Sequence, residues 1–207
     1  MEPTERQTVI NETLRAIHDR RSIRLFTDEP VKDDEIKILL QAANQAPSAH
    51  NQQSWRFIVI TGEKKKGLVN LVSAKANEFP RPSSALLRMA ARSMAGAPVV
   101  IAVANTGELI EHGTELFKVD KEVARDFFRT MEIQSSAAAV ENLLLAATSL
   151  GLSTVWLGIL YLIKDEVLQI LEEPAGEFMA VIPVGHGAKP SKGPQKQPLE
   201  SIVKYLR

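Results

Sequence analysis

The stretch from about Lys121 to Leu150 has helical periodicity, and its second half, 137-AAAVENLLLAA-147, is apolar on nearly every face. A helix with so little polar surface has to be enclosed by other elements, so the rest of the chain must wrap around this segment. Glu141 and Asn142 interrupt the apolar run, which rules it out as a membrane span. Gly151 is placed to end the helix. The candidate wrapping elements are easily found. The segments 56-RFIVITG-62 and 98-PVVIAVA-104 read as buried strands, and 153-STVWLG-158 and 178-FMAVIPVG-185 as a third and fourth strand.

Helical patterns fill much of the remainder. Thr4 is placed to cap a first helix carrying Ile10, Leu14 and Ile17, and Pro30 forbids its continuation beyond the arginines. Asp33 starts a second helix, with Ile36, Leu39, Leu40 and Ala43 as its buried stripe. Further helical spacings occur at Leu68, Leu71 and Val72, at Leu86, Leu87, Ala90 and Met94, and at Val167, Ile170 and Leu171. Residues 105–120 show no firm period and read as loop with some helix, and the tail 187-GAKPSKGPQKQP-198 reads as an open loop. Two helices precede any strand, and two helical stretches separate the first two strands. That is not a simple alternating wind, so the expected class is α+β. No repeat or linker divides the chain, so residues 1–207 are expected to form one domain.

Composition excludes several functions. Lys and Arg total 25, balanced by 25 Asp and Glu, so there is no general excess of positive charge to neutralise nucleic-acid phosphates. There are no cysteines, which removes disulfides, thiolate metal sites and cysteine nucleophiles. The N-terminus lacks the apolar core of a signal peptide. The expectation is a soluble, cytoplasmic protein with no membrane and no nucleic-acid partner.

Against that balanced background, 20-RRSIR-24 stands out. Arg20, Arg21, Ser22 and Arg24 could form a forked anion site, since guanidinium groups bind phosphate bidentately. Equally, basic residues at a helix C-terminus answer the macrodipole. The loop 47-PSAHNQQSW-55 offers Ser48, His50, Asn51, Gln52 and Gln53, whose amides donate and accept together and suit the edge of a flat heterocycle. It also fits an ordinary helix-to-strand loop with an Asx turn and a buried Trp55. Glycine-rich phosphate loops, metal-ligand histidine spacings and nucleophile motifs do not occur, and His112 with Glu108, Glu111 and Glu115 reads as a solvated face. Lacking these, the chain fits chemistry carried by a bound cofactor.

Four stretches in order, RRSIRLFTDEPV, APSAHNQQSWRFIVI, GLSTVWLG and IPVGHGAKP with KQPLESIV, resemble the nitroreductase family of FMN-dependent oxidoreductases, from about residue 18 to residue 203. The resemblance implies a nitroreductase-like fold: a central mixed, mostly antiparallel sheet flanked by helices. It also implies that the domain is completed by homodimerisation, with FMN at the interface. Arg20, Arg21 and Ser22 would contact phosphate and ribityl, and Arg24 the flavin N1–O2 edge. Pro47, Ser48, Ala49, His50, Asn51 and Gln53 would lie in the loop reaching the FMN of the partner subunit. The backbone N–H groups of Leu157 and Gly158 would lie near N5 and O4. Gly185 and Gly187 would border the phosphate end, and Lys196 would be a phosphate ligand. No side chain would act as a catalytic acid or base.

The implied activity moves hydride from NADH or NADPH through flavin N5 to nitroaromatic, quinone or similar acceptors in ping-pong order. Specialised relatives that remove halogen or cleave flavin with oxygen, and a non-catalytic flavin carrier, are the alternatives. The chain departs from the family at Ser54, where Pro is frequent, and at His50, where smaller residues are common. Lys192 would have to replace a second phosphate ligand. By position, residues 75–94 should contribute to the cover over the substrate face.

Overall fold

The computed structural model describes residues 11–173 and 175–207. The expected cap at Thr4 and the apolar Ile10 lie outside them. The first described helix, α1 (Glu12–Asp19), starts at Asn11, whose side chain accepts from the Leu14 N–H at 3.0 Å. The other helices are α2 (Asp33–Asn44), α3 (Gly62–Lys75), α4 (Ser83–Gly96), α5 (Glu108–Leu116), α6 (Lys121–Ser149) and α7 (Lys164–Ile170). The strands are β1 (Trp55–Ile60), β2 (Val99–Asn105), β3 (Ser153–Thr154) and β4 (Glu177–Gly185), in the spatial order β1-β2-β4-β3. All three pairings are antiparallel, and the parallel contact among the described residues is the single bridge between Ser22 and Thr154. The α+β expectation holds, with "mixed" reduced to that one bridge.

Between their polar ends, Asn105 and Glu177, the two central strands are apolar because both faces of the sheet are covered. Val99, Ile101 and Val103 of β2, with Ala180, Ile182 and Val184 of β4, pack against Leu39 and Ala43 of α2 and Val140, Leu143 and Ala147 of α6. On the opposite face Val100, Ala102, Ala104, Phe178 and Val181 meet Leu68 and Val72 of α3, Leu87 and Met94 of α4, and Val167 of α7. The result is three layers, with α6 buried as its composition requires. Asp120 caps α6 by accepting from the N–H groups of Glu122 and Val123, and Gly151, at φ 75°, ends it.

Several expectations change. The first strand is an edge strand with Arg56 and Val59 exposed, not a buried one. The third is only two residues long. The chain leaves the sheet edge after Thr154, touches it again where the Leu157 N–H donates to Val181 O at 2.9 Å, and turns into a 3-10 helix at Gly158–Ile163. Leu14 and Ile17 form no buried stripe in the single chain, being 42% and 51% exposed. α4 buries Leu87, Ala90, Ala91 and Met94 in the core, so that face of the 75–94 segment supports the sheet.

The segment 105–120 contains α5, which apolar periodicity missed because its contact with α6 runs through a glycine. Gly113 is buried against the ring of Phe128, itself 1% exposed, and an added Cβ would overlap that ring. The Gly113→Ala protein should therefore lose about 1–3 kcal/mol through overpacking. A lower urea midpoint at unchanged m-value would show this. A midpoint equal to that of wild type would mean that α5 can retreat freely from α6.

Candidate functional site

After α1 the chain runs extended along the β3 edge of the sheet. Ser22 bridges Thr154, the Ile23 N–H donates to Thr154 O at 2.9 Å, Phe26 bridges Gly187, and the Thr27 N–H donates to His186 O at 2.8 Å. The helix ends at Arg20, so Arg20 and Arg24 do not share a helical face. In an extended segment Arg20, Ser22 and Arg24 fall on one side instead.

The three arginines have different surroundings. Arg21 is a strut: its guanidinium donates to the carbonyls of His18 at 2.6 Å, Arg20 at 2.7 Å and Lys192 at 3.1 Å. It lies so close to Gly193, at φ 68°, that a Cβ there would sit 2.7 Å from Arg21 Cδ. Arg20 is paired at 3.7 Å with Glu141 of α6. Arg24 is exposed and enters none of the ion pairs among the described residues. The cations available to an anion on this edge are thus Arg24 and part of Arg20, with Lys192 brought alongside by Arg21. Lys196 is exposed on the same C-terminal loop.

Of the two expected backbone donors, one is already committed. The Leu157 N–H is used inside the sheet, so only the Gly158 N–H, at the open start of the 3-10 helix, remains. A Cβ on Gly158 would meet nothing within 4 Å, so its backbone is bare on that side. Gly185 and Gly187 are glycines for packing reasons: a Cβ would sit 2.6 Å from Pro98 Cδ at the first and 2.7 Å from Ser153 Oγ at the second.

The loop 47–54 is attached elsewhere, to α6 and the end of β2. It makes one 3-10 turn at Ala49–Asn51, and His50, Asn51 and Gln53 have φ of 54°, 53° and 53°. Ser48, and not an Asx residue, closes it by accepting from the Gln53 N–H at 3.1 Å. The Gln53 amide donates to Asn51 Oδ1 at 3.2 Å, and the Trp55 indole donates to Asn44 Oδ1 at 3.1 Å. The loop reaches α6 at Ser135, whereas Arg20 reaches it at Glu141. Those points are about 9 Å apart along the helix and about 120° apart around it. One chain therefore ties the stretch 22–27 to Thr154, His186 and Gly187, and among the described residues no hydrogen bond joins Pro47, Ser48, Ala49, His50, Asn51 or Gln53 to that stretch.

The sequence reading missed an aromatic group beside this loop. The His50 ring lies 6.4 Å from that of Phe128, which Phe117 and Phe127 meet edge-on at 4.9 and 5.1 Å. Phe117 and Phe127 are well exposed for their type. Aromatic residues set beside charged ones, Phe117 next to Lys118 and Phe127 next to Asp126, were the available signal.

Beneath the loop lies a buried polar cluster. Glu132 is fully buried, and its Oε1 accepts from the Leu109 N–H at 2.9 Å. It thereby caps α5, whose own N-cap, Gly107, has no side chain. Ser136 donates to Asn105 Oδ1, while among the described residues Glu132 Oε2, Asn105 Nδ2 and Ser54 Oγ are buried with no well-aligned hydrogen-bond partner, Ser54 facing the Glu132 carboxyl. Burial pushes the Glu132 carboxyl up, against the opposing pull of the Leu109 N–H.

Residues 17–186 match the nitroreductase family model. The chain belongs to the nitroreductase family. A provisionally named NADH dehydrogenase/NAD(P)H nitroreductase of Archaeoglobus fulgidus is 29% identical over 167 residues, covering 81% of this chain and 78% of its own. The FMN reductase [NAD(P)H] of Bacillus subtilis is 26% identical, covering 93% and 73%. A provisionally named nitroreductase from Desulfovibrio desulfuricans, solved in complex with FMN, is 30% identical with a TM-score of 0.73, covering 95% and 98%. Nitroreductase membership accounts for the layered α+β fold.

The raised carboxyl has a consequence for stability. The fold favours protonated Glu132, so this group's contribution is fully present below the ordinary carboxylate range and is lost as pH rises through its raised value. Glu132→Gln keeps an acceptor for Leu109 and cannot ionise. Between mildly acidic pH and neutrality, wild type should lose unfolding free energy relative to the variant, and the two should converge in acid. Chemical denaturation across pH reads the difference, and parallel profiles would show that Glu132 titrates alike in both states.

Proposed function

We propose that this nitroreductase is an FMN-dependent NAD(P)H oxidoreductase, assembled as a homodimer, that reduces nitroaromatic, quinone or similar acceptors in ping-pong order. The observation that carries this reading is the bare Gly158 backbone, four residues after the Thr154 that pairs with Ser22, on the same chain edge as an exposed arginine, Arg24, that pairs with no carboxylate among the described residues. When bound, FMN supplies two-electron chemistry at its N5 position. The residues present fit it. Gly158 leaves space where a ring edge can approach its N–H, and Arg24 can place positive charge at the N1–O2 edge. Ser22 and Arg20, with Lys192 and Lys196 from the C-terminal loop, form the set that would hold the phosphate.

Dimerisation is supported by what the single chain leaves uncovered. Leu14, Ile17, Leu116, Phe117, Val123 and Phe127 are exposed, and so are Leu199, Ile202, Tyr205 and Leu206 of the tail. A monomer rarely exposes so much apolar surface. A second copy would also supply the loop 47–53, which within one chain is attached to α6 and the end of β2. Among the described residues no helix is long and apolar enough to cross a membrane.

Purified protein should be yellow, bleach under anaerobic NADH or NADPH, and release FMN on denaturation. A yellow protein that never bleaches would instead indicate a flavin carrier or a flavin-consuming enzyme. Protein that stays colourless after incubation with FMN would remove the cofactor assignment. Arg24→Ala should weaken FMN binding about tenfold or more, as expected for losing a hydrogen bond to a charged group. It should also lower the flavin reduction potential, since the positive charge favours the reduced anion. Unchanged affinity and potential would place Arg24 outside the site.

A further inference from the structure

The loop 47–54 is in an unfavourable conformation. His50, Asn51 and Gln53 are non-glycine residues with positive φ, three within four positions. Asn adopts this region readily, but for His and Gln it costs roughly 1 kcal/mol or more each. Such backbone persists only where its surroundings over-determine it. Two of the constraints are internal, from Ser48 Oγ to the Gln53 N–H and from the Gln53 amide to Asn51. These stiffen the loop without placing it on the body of the protein.

Placement comes from both ends. At the strand end the Trp55 N–H donates to Gln53 O at 2.8 Å and the Thr106 N–H to Ser54 O at 3.0 Å. At the turn itself, the hydrogen bond to the body of the protein among the described residues runs from the Ala49 N–H to Ser135 Oγ of α6, at 3.1 Å. The Ser135 hydroxyl is itself oriented, because it donates to Met131 O at 2.7 Å and its residue is buried. Its lone pair therefore faces the loop. The Ala49 side chain packs on the cluster of Leu109, Ala124 and Phe128, so backbone and methyl are gripped together. Helix propensity alone would favour alanine at position 135, which is followed by Ser136 and a run of three alanines. Serine there has a local cost that the Ala49 bond offsets.

We propose that Ser135 is a positioning residue for the flavin site: through Ala49 it fixes the left-handed turn that presents His50, Asn51 and Gln53 to the FMN held on the partner copy. This rests on the function proposed above. Ser135 touches neither flavin nor substrate in this scheme, and its effect passes through the loop. Replacing it with alanine leaves the Ala49 N–H without its acceptor and frees the turn to relax.

The test uses the full-length protein stripped of FMN. Amide hydrogen exchange is followed at residues 48–53, and FMN is titrated back by fluorescence quenching. Ser135→Ala should speed exchange in that loop about tenfold while exchange in β2 and β4 stays at wild-type rates. It should also raise the FMN dissociation constant at least fivefold, and Ser135→Thr, which restores a hydroxyl, should recover much of both. Unchanged loop exchange in Ser135→Ala would overturn the anchoring. Faster exchange with unchanged FMN affinity would overturn the link to the flavin. Wild-type protein that takes up no FMN would overturn the functional reading and this role with it, while loop exchange would still report separately whether Ser135 anchors Ala49.

Discussion

The burial of α6 is the constraint from which most of this structure follows. A helix of 29 residues spans about 43 Å, longer than the sheet strands it crosses. Its C-terminal half exposes only Glu141 and Ser149, and it is packed against β2, β4 and α2. Its N-terminal half carries a different burden. Phe128, Glu132, Ser135 and Ser136 are buried there, and three of the four are polar. Each polar group meets a different piece of the chain: Glu132 the start of α5, Ser135 the loop at Ala49, Ser136 the end of β2. Farther along, Asn142 donates to Ala42 O of α2 and Glu141 pairs with Arg20. One apolar half thus supports the core, and a string of polar contacts locates the pieces from which a site is made.

Charge on the basic edge is allocated by local geometry. Three arginines in five residues read in sequence as one cluster, yet the fold uses them differently. Arg21 is absorbed by three carbonyls and serves to draw the C-terminal loop inward. Arg20 shares its charge with Glu141. Arg24, at the far end of the extended run, keeps its charge free among the described residues. A guanidinium saturated by carbonyls contributes position, and one facing solvent contributes field. The division depends on contacts more than 100 residues away, which no local pattern contains.

The same distinction explains what was legible in the sequence. β2 and β4 were readable because burial on both faces writes a continuous apolar run. α2 was readable because burial on one face writes a stripe at Leu39 and Ala43. Gly151 was readable as a helix end because its backbone conformation demands glycine. α5 was not, because its key contact is the absence of a side chain at Gly113. The third strand was overread, since Val155 and Leu157 are buried without remaining in the ladder. The family motifs marked the stretches proposed to hold the flavin, but they could not show that the Leu157 N–H is already spent or that Gly185 and Gly187 answer to Pro98 and Ser153. Glu132 and Ser135 carried no signal, because a buried Glu or Ser in a long helix looks like any solvated one.

Glu132 also suggests why a costly group sits at the centre of the α5–α6 contact. A serine or aspartate at position 107 could cap α5 locally, but it would bind the helix only to itself. Gly107 turns the chain at φ 83° and leaves the cap to a carboxylate on α6. Capping from a neighbour couples the two helices: α5 cannot shift along α6 without breaking the Leu109 bond and exposing a buried acid. Gly113 enforces the same register from the other direction, since α5 cannot rotate without driving side chains into Phe128. With the register held at both points, Phe117 meets Phe127 and Phe128 at a fixed angle, and Phe128 in turn supports His50. The buried carboxyl and the missing side chain together specify where the aromatic group stands relative to the polar loop. That relation would have to be rigid if both are to meet one flat ligand across a subunit boundary.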